Sequence, residues 1–174
     1  MREDRDFMYA YETYLLPDSF NFDQLLETVK IKKNTRVTLQ LIDPTWVVSE
    51  RHISAAVYHT QNAFENKRNL ARDKATEFLI RISGQSQIKN ALKEFGIRDE
   101  SKHLLIVTFG GSEEENKEEI SCFIKNSKFP LQSIKDAKYP ITDIEKLRRY
   151  YISDSNIIEI EKSALERIAA IEVR

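Results

Sequence analysis

Hydrophobic and polar positions change period several times along the chain, and each change marks an element. DFMYAYETYLL (6–16) is dense in aromatic residues and stops at Pro17, which predicts an opening strand. Beyond Asp18-Ser19, FDQLLETVKI sets Phe22, Leu25, Leu26 and Val29 at helical spacing. TRVTLQLID (35–43) alternates Val37, Leu39 and Leu41 with polar neighbours until Asp43-Pro44 ends it, a second strand. A helical period returns from about Thr45 to Phe64, with Ile53, Ala56, Val57, Thr60 and Phe64 on one face.

ENKRNLARD (65–73) breaks that pattern with polar and basic residues. Asp73 then suits an N-cap, and Ala75, Phe78, Leu79 and Ile82 form a helical stripe. Gly84 fits a left-handed helix end, where a Cβ is disfavoured. Ile88, Ala91, Leu92 and Phe95 make the next inward stripe, closed by Gly96. KHLLIVTF (102–109) is the clearest buried strand, with Gly110-Gly111 as its turn. Ser112 and Glu115 form a capping box ahead of a helix over 112–126. FPLQSIKDAKYPIT reads as loop or short edge strand, followed by helices around Asp143–Tyr150 and Asn156–Val173. The order β α β α α α β α with a helical tail predicts an α/β (mixed α+β) class. Its architecture is a small mixed sheet covered by helices, three of them consecutive in one layer, with a C-terminal helix.

A length of 174 residues suits one domain, and 41% hydrophobic with 32% charged residues describes a folded soluble chain. No run approaches a membrane span, and the N-terminus lacks the apolar region of a signal peptide. Cys122, the single cysteine, has no intramolecular disulfide partner, so a reducing cytoplasm is the expected location. The chain carries no GxGxxG, Walker loop, HExxH or GxSxG signature. Gly110-Gly111 precedes a run with five glutamates, which repels phosphate and leaves a plain turn. His52 and His59 stand seven apart, not the three or four of paired helical ligands, and only His103 remains to join them. Neither an enzyme, a metal site, a cofactor nor a small-molecule substrate is expected. Cys122 reads as an inert thiol, and Tyr150-Tyr151 as packing rather than a base-stacking platform.

Charge changes this picture locally. The net charge is -1, yet Gln61 to Arg98 holds eight Lys/Arg against four acids. The cations are Lys67, Arg68, Arg72, Lys74, Arg81, Lys89, Lys93 and Arg98. A solvated helical face would explain them, and so would a phosphate-binding surface on an otherwise acidic protein. Ser83, Gln85, Ser86 and Gln87 add donors at a helix start. Helix, glycine turn and polar-started helix also outline a helix-turn-helix DNA reader, with Gln85, Gln87 and Lys89 at base edges.

Three stretches, RHISAAVYHTQNAF, KATEFLIRISGQSQIKNALKEFGI and SALERIAAIEV, together resemble the kinase-binding subunit family of the KEOPS complex. The resemblance covers roughly 50–173 and rests on His52, Ala55 and Ala56. Its central motif is Glu77, Leu79, Ser83, Gly84, Gln87, Ile88, Ala91, Leu92 and Gly96; the last helix carries Leu165, Glu166, Ile168 and Ala169. Ser86 stands where the family commonly has Arg, so any contact made by that Arg falls to a neighbour such as Arg81 or Lys89. The Glu/Lys/Ile-rich composition points to an archaeal member. The resemblance implies a non-catalytic adaptor in making threonylcarbamoyladenosine at position 37 of tRNA. Its implied partners are the complex's atypical kinase/ATPase subunit and the single-stranded 3′ CCA end of tRNA, with no membrane. The expected RNA-facing residues are Lys67, Arg68, Arg72, Lys74, Arg81, Ser83, Gln85 and Lys89. For the kinase they are Ile157, Ile158, Ile160, Leu165 and Ile168 of the terminal helix, whose apolar stripe, with Ile171, is broader than one buried face requires.

Overall fold

HLLIVTF is apolar at both strand parities, so it can be satisfied only in a sheet covered on both faces. The computed structural model, which describes residues 7–30, 36–151 and 156–171, puts it there. β3 (His103–Phe109) is buried at all but its first residue and lies between β1 (Tyr9–Leu15) and β2 (Thr38–Ile42). It runs antiparallel to both, with Glu12 opposite Ile106 and Gln40 opposite Val107. A two-residue β4 (Gln132–Ser133) pairs with Tyr14 and Leu15, giving the order β2-β3-β1-β4. Every pairing among the described residues is antiparallel, where a mixed sheet was expected. The cause lies at the end of β2. The Asp43 N–H donates to the Phe95 carbonyl at 2.9 Å, returning the chain to the point where β2 stopped. The Ser101 hydroxyl donates to the Asp43 carboxylate at 2.6 Å, so β3 starts there and must run back.

Helices cover both faces. Ile42, Leu105, Val107 and Phe109 face α2 (Glu50–Glu65), α3 (Lys74–Ser83) and α4 (Ile88–Phe95), the predicted three-helix layer. Leu39, Leu104, Ile106 and Tyr14 face α1 (Phe22–Val29) and α5 (Glu113–Asn126). A smaller cluster of Val48, Leu147, Tyr151, Ile160 and Ala164 joins α6 (Ile144–Tyr151) to α7 (Ile157–Ala170). Ile168 of α7 also enters the three-helix core.

The capping chemistry places the helix starts. Asp73 accepts from the Thr76 N–H, Ser112 and Glu115 form their reciprocal box, and Asn156 accepts from the Ile158 and Glu159 N–H groups. α2 begins at Glu50, not near Thr45, because Pro44–Trp46 forms a separate 3-10 turn and Ser49 supplies the cap. α4 departs from the expected inward stripe. Only Ala91 and Phe95, one turn apart, are buried, whereas Leu92 is 50% exposed and Ile88 is also exposed. Two turns lying on α3 have room for one narrow buried face. α3 shows the converse: every residue from Glu77 to Ser83 is buried, including its charges.

Candidate interaction surfaces

The basic break after α2 is organised from beneath by α3. Lys67 takes a left-handed backbone (φ 54), after which the chain crosses the start of α3. There the Glu77 carboxylate accepts the Leu70 and Ala71 N–H groups on one oxygen, at 2.7 and 2.8 Å. Its other oxygen accepts from Arg81 Nε and from a terminal guanidinium nitrogen, each at 2.8 Å. Glu77 and Arg81 are 0% and 1% exposed at the side chain, so the pair stands in a low-dielectric site. Burying such a pair is costly unless it is hydrogen-bonded, and here the Glu77 bonds fasten a loop to a helix. The Ala71 methyl packs with Ile80 and Ile171, a second anchor.

What that clamp presents outward is cationic. Lys67, Arg68 and Arg72 are exposed, and among the described residues no carboxylate forms an ion pair with them. Asp73, the acid next to Arg72, is occupied with the Thr76 N–H and hydroxyl. Lys74 is half-buried, its ammonium 6.0 Å from the Phe64 ring centre. Leu70 stands among them 54% exposed, an apolar platform held by its own bound N–H.

Other expected RNA-facing residues lie elsewhere. Arg81 is buried in the clamp and has no access to a phosphate. Ser83 is buried too: its hydroxyl donates to the Ile80 carbonyl and accepts from the Gln85 N–H. The Gln85 amide is turned to the Glu94 carboxylate at 3.2 Å, which takes it from a base edge. Lys89 is exposed, but it follows the far end of α3, and a ten-residue helix separates it from the 67–74 loop by about 15 Å. The cations therefore divide, with Lys67, Arg68, Arg72 and Lys74 in one group. Glu77 and Leu70 were missed as site residues. The signal for Glu77 was an acid four residues before Arg81 inside an apolar run.

The glycine turn serves α7. Gly84 has φ 65, and a Cβ there would lie 2.6 Å from the Arg167 Cβ. Arg167 lies over the Tyr150 and Tyr151 rings at 5.2 and 4.7 Å and donates to the Tyr150 carbonyl. Tyr150 stacks on Trp46 at 4.6 Å and its hydroxyl donates to Glu94. Burial and Glu94 both raise the Tyr150 pKa. The tyrosine pair is thus packing that locks α6 and α7 to the turn. His52 is the buried histidine beneath: its Nε2–H donates to the Ile82 carbonyl at 2.9 Å while Nδ1 faces the Val48 N–H. Burial lowers its pKa to about 4, so the ring is neutral.

On α7 the expected docking residues separate by face. Ile160 and Ile168 are fully buried and belong to the core, because the stripe meets α6 on one side and α2 and α3 on the other. Ile157 is half-buried against the α6 contact. Ile158 is 70% exposed, Leu165 is partly exposed, and with Ala169 and Arg51 they line an open groove of about 440 Å³. Glu161 in that groove accepts from Ser49 at 2.5 Å and from Arg51 at 3.3 Å, fixing α7 to the start of α2.

Fold and surfaces together describe a binding module: its distinctive features are a pinned cationic loop and an apolar helix face. The chain belongs to the kinase binding protein CGI-121 family, whose model matches residues 20–172. It is similar to the EKC/KEOPS complex subunit CGI121 of Coccidioides immitis, 25% identical over 120 residues, 68% of this chain and 58% of the relative. The Aspergillus terreus subunit of the same name is 26% identical over 123 residues, 70% of this chain and 63% of the relative. The regulatory protein Cgi121 of Methanocaldococcus jannaschii is 28% identical over 143 residues, 81% of this chain and 88% of the relative. The match thus spans only about 60% of the two fungal relatives' length.

Proposed function

We propose that the protein is a non-catalytic adaptor of a KEOPS-type assembly, joining its kinase subunit to tRNA. The family's description and the relatives' names support the kinase and the complex. The observation that carries the RNA half is the loop 67–72: three exposed cations without ion-pair partners among the described residues, plus exposed Leu70, held by a buried clamp. A fixed array of cations beside an apolar platform suits single-stranded RNA, whose phosphates and unstacked bases need both. The single-stranded 3′ CCA end of tRNA meets that description, and the modification served would be threonylcarbamoyladenosine at position 37.

The kinase would dock on the outer face of α7 through Ile158 and Leu165. The test of the RNA half is tRNA binding by the variant K67E/R68E/R72E across a salt series. Three phosphate contacts on a single strand give a log–log salt slope of about −2. The variant should lose most of that slope. An unchanged slope would leave the loop as solvated surface and the protein as a kinase adaptor alone.

A further inference from the structure

The edge of β1 involves residues that belong to neither of those surfaces. β4 pairs with Tyr14 and Leu15, and Ile134 bonds Thr13, leaving the four residues Tyr9 to Glu12 without a described strand partner on that side. Two hydrogen bonds fix which way the backbone faces. The Leu16 N–H donates to the Lys102 carbonyl on the β3 side at 3.0 Å, while the Thr13 carbonyl accepts the Ile134 N–H on the opposite side at 2.8 Å. Amide groups of successive strand residues turn to alternate edges, so Tyr9 and Tyr11 face away from β3 with Thr13. Among the described residues none hydrogen-bonds the N–H or carbonyl of Tyr9 or Tyr11.

Two clefts flank this open edge, one above each face of the sheet. The cleft on the α5 side, about 450 Å³, is lined by Ala10, Glu12, Lys117 and Ser121. The larger, about 630 Å³, lies between Tyr11, Glu12, Thr13 and Glu50 on one side and the 133–138 segment, with Lys135, Asp136 and Lys138, on the other. Glu50 is an exposed carboxylate that lines this cleft together with Tyr11. The rings are ordered: Tyr9 stacks on Tyr11 at 6.2 Å, and Tyr139 meets Tyr11 edge-on at 6.5 Å. The Tyr139 hydroxyl is itself tied to Thr13 at 2.8 Å. Aromatic faces around a carboxylate are the chemistry that holds a guanidinium or ammonium group.

We propose that β1 accepts an added strand from a partner protein, a short extended segment whose Arg or Lys side chain enters the Tyr11–Glu50 cleft. The main chain of Tyr9 and Tyr11 supplies affinity through four ladder groups. Side chains alternate between the two clefts, and the cation facing Glu50 supplies the choice of segment. A window of four residues takes a segment about 13 Å long.

The test uses amide hydrogen exchange of the full chain and a fluorescent nine-residue peptide of alternating Thr and Val with a central Arg. In the free protein the Ala10, Glu12 and Tyr14 amides should exchange slowly and those of Tyr9 and Tyr11 quickly. Peptide should slow Tyr9 and Tyr11 at least tenfold and leave the others unchanged. Replacing the central Arg by Glu, or Glu50→Gln in the protein, should weaken anisotropy-detected binding at least fivefold. Y11P removes an outward N–H without touching the β3 ladder and should abolish binding while the melting temperature reports that the fold persists. Failure of the peptide to slow Tyr9 and Tyr11, or equal binding of the Arg and Glu peptides, would overturn the proposal. So would protection of these amides in the free chain together with a dimer on sedimentation, which would make the edge a contact between copies.

Discussion

Glu77 and Arg81 stand one helical turn apart on a helix that is otherwise apolar, and depth changes what their charges do. Arg81 was expected to face RNA, but it neutralises the carboxylate that pins the 70–71 backbone. Glu77→Gln leaves a buried guanidinium without its counter-charge, and denaturant melts should show a loss of about 3–5 kcal/mol. The double change Glu77→Met with Arg81→Met should recover much of that stability. Because Met donates and accepts nothing at the loop, exchange at the Leu70 and Ala71 amides should nonetheless accelerate in it. His52 gives a second test at this scale. Its pKa falls from 6.5 unfolded to about 4 folded, so between those values only the unfolded chain takes up the proton. Stability should therefore fall as pH is lowered through that window, by roughly 3 kcal/mol. Guanidinium melts from pH 7 to 4 read this, and His52→Phe should flatten the curve by about one proton.

Among the elements, α3 and α7 carry the two surfaces and the Gly84 turn couples them. Gly84→Ala meets both a left-handed backbone and the Arg167 side chain, and it should cost roughly 2–3 kcal/mol in thermal melts. On α7, Ile158→Asp should leave stability within about 0.5 kcal/mol because the side chain is already exposed, yet weaken kinase capture at least tenfold. Ile168→Asp should prevent folding. Much at this scale was legible in the residues. Asp73, Ser112 and Asn156 marked helix starts, and the apolar run of β3 marked a buried strand. What periodicity could not settle was which half of a broad stripe turns inward. Ile88 and Leu92 share spacing with Ala91 and Phe95, and only the neighbouring helices decide among them. The same limit separated Ile158 from Ile160.

At the scale of the whole molecule, the basic segment read along the chain as one block and proved divided, with Lys67, Arg68, Arg72 and Lys74 at the start of α3, Arg81 buried within it and Lys89 beyond its end. A helix of ten residues carries Lys89 away from Lys67, Arg68 and Arg72. The strand directions were likewise hidden, since they follow from the Asp43–Phe95 contact that no local pattern announces. The loop packs through Ala71 on Ile171 at the end of α7, and in the proposed function this loop and the outer face of α7 hold RNA and kinase at once. The most direct test of that claim is retention of labelled tRNA on the immobilised cognate kinase, with this protein added. Retention should require the protein, fall as salt rises, and drop at least tenfold when the three 3′-terminal nucleotides are removed or K67E/R68E/R72E replaces the wild type. Undiminished retention of the trimmed tRNA, with the kinase still capturing the protein, would contradict the account.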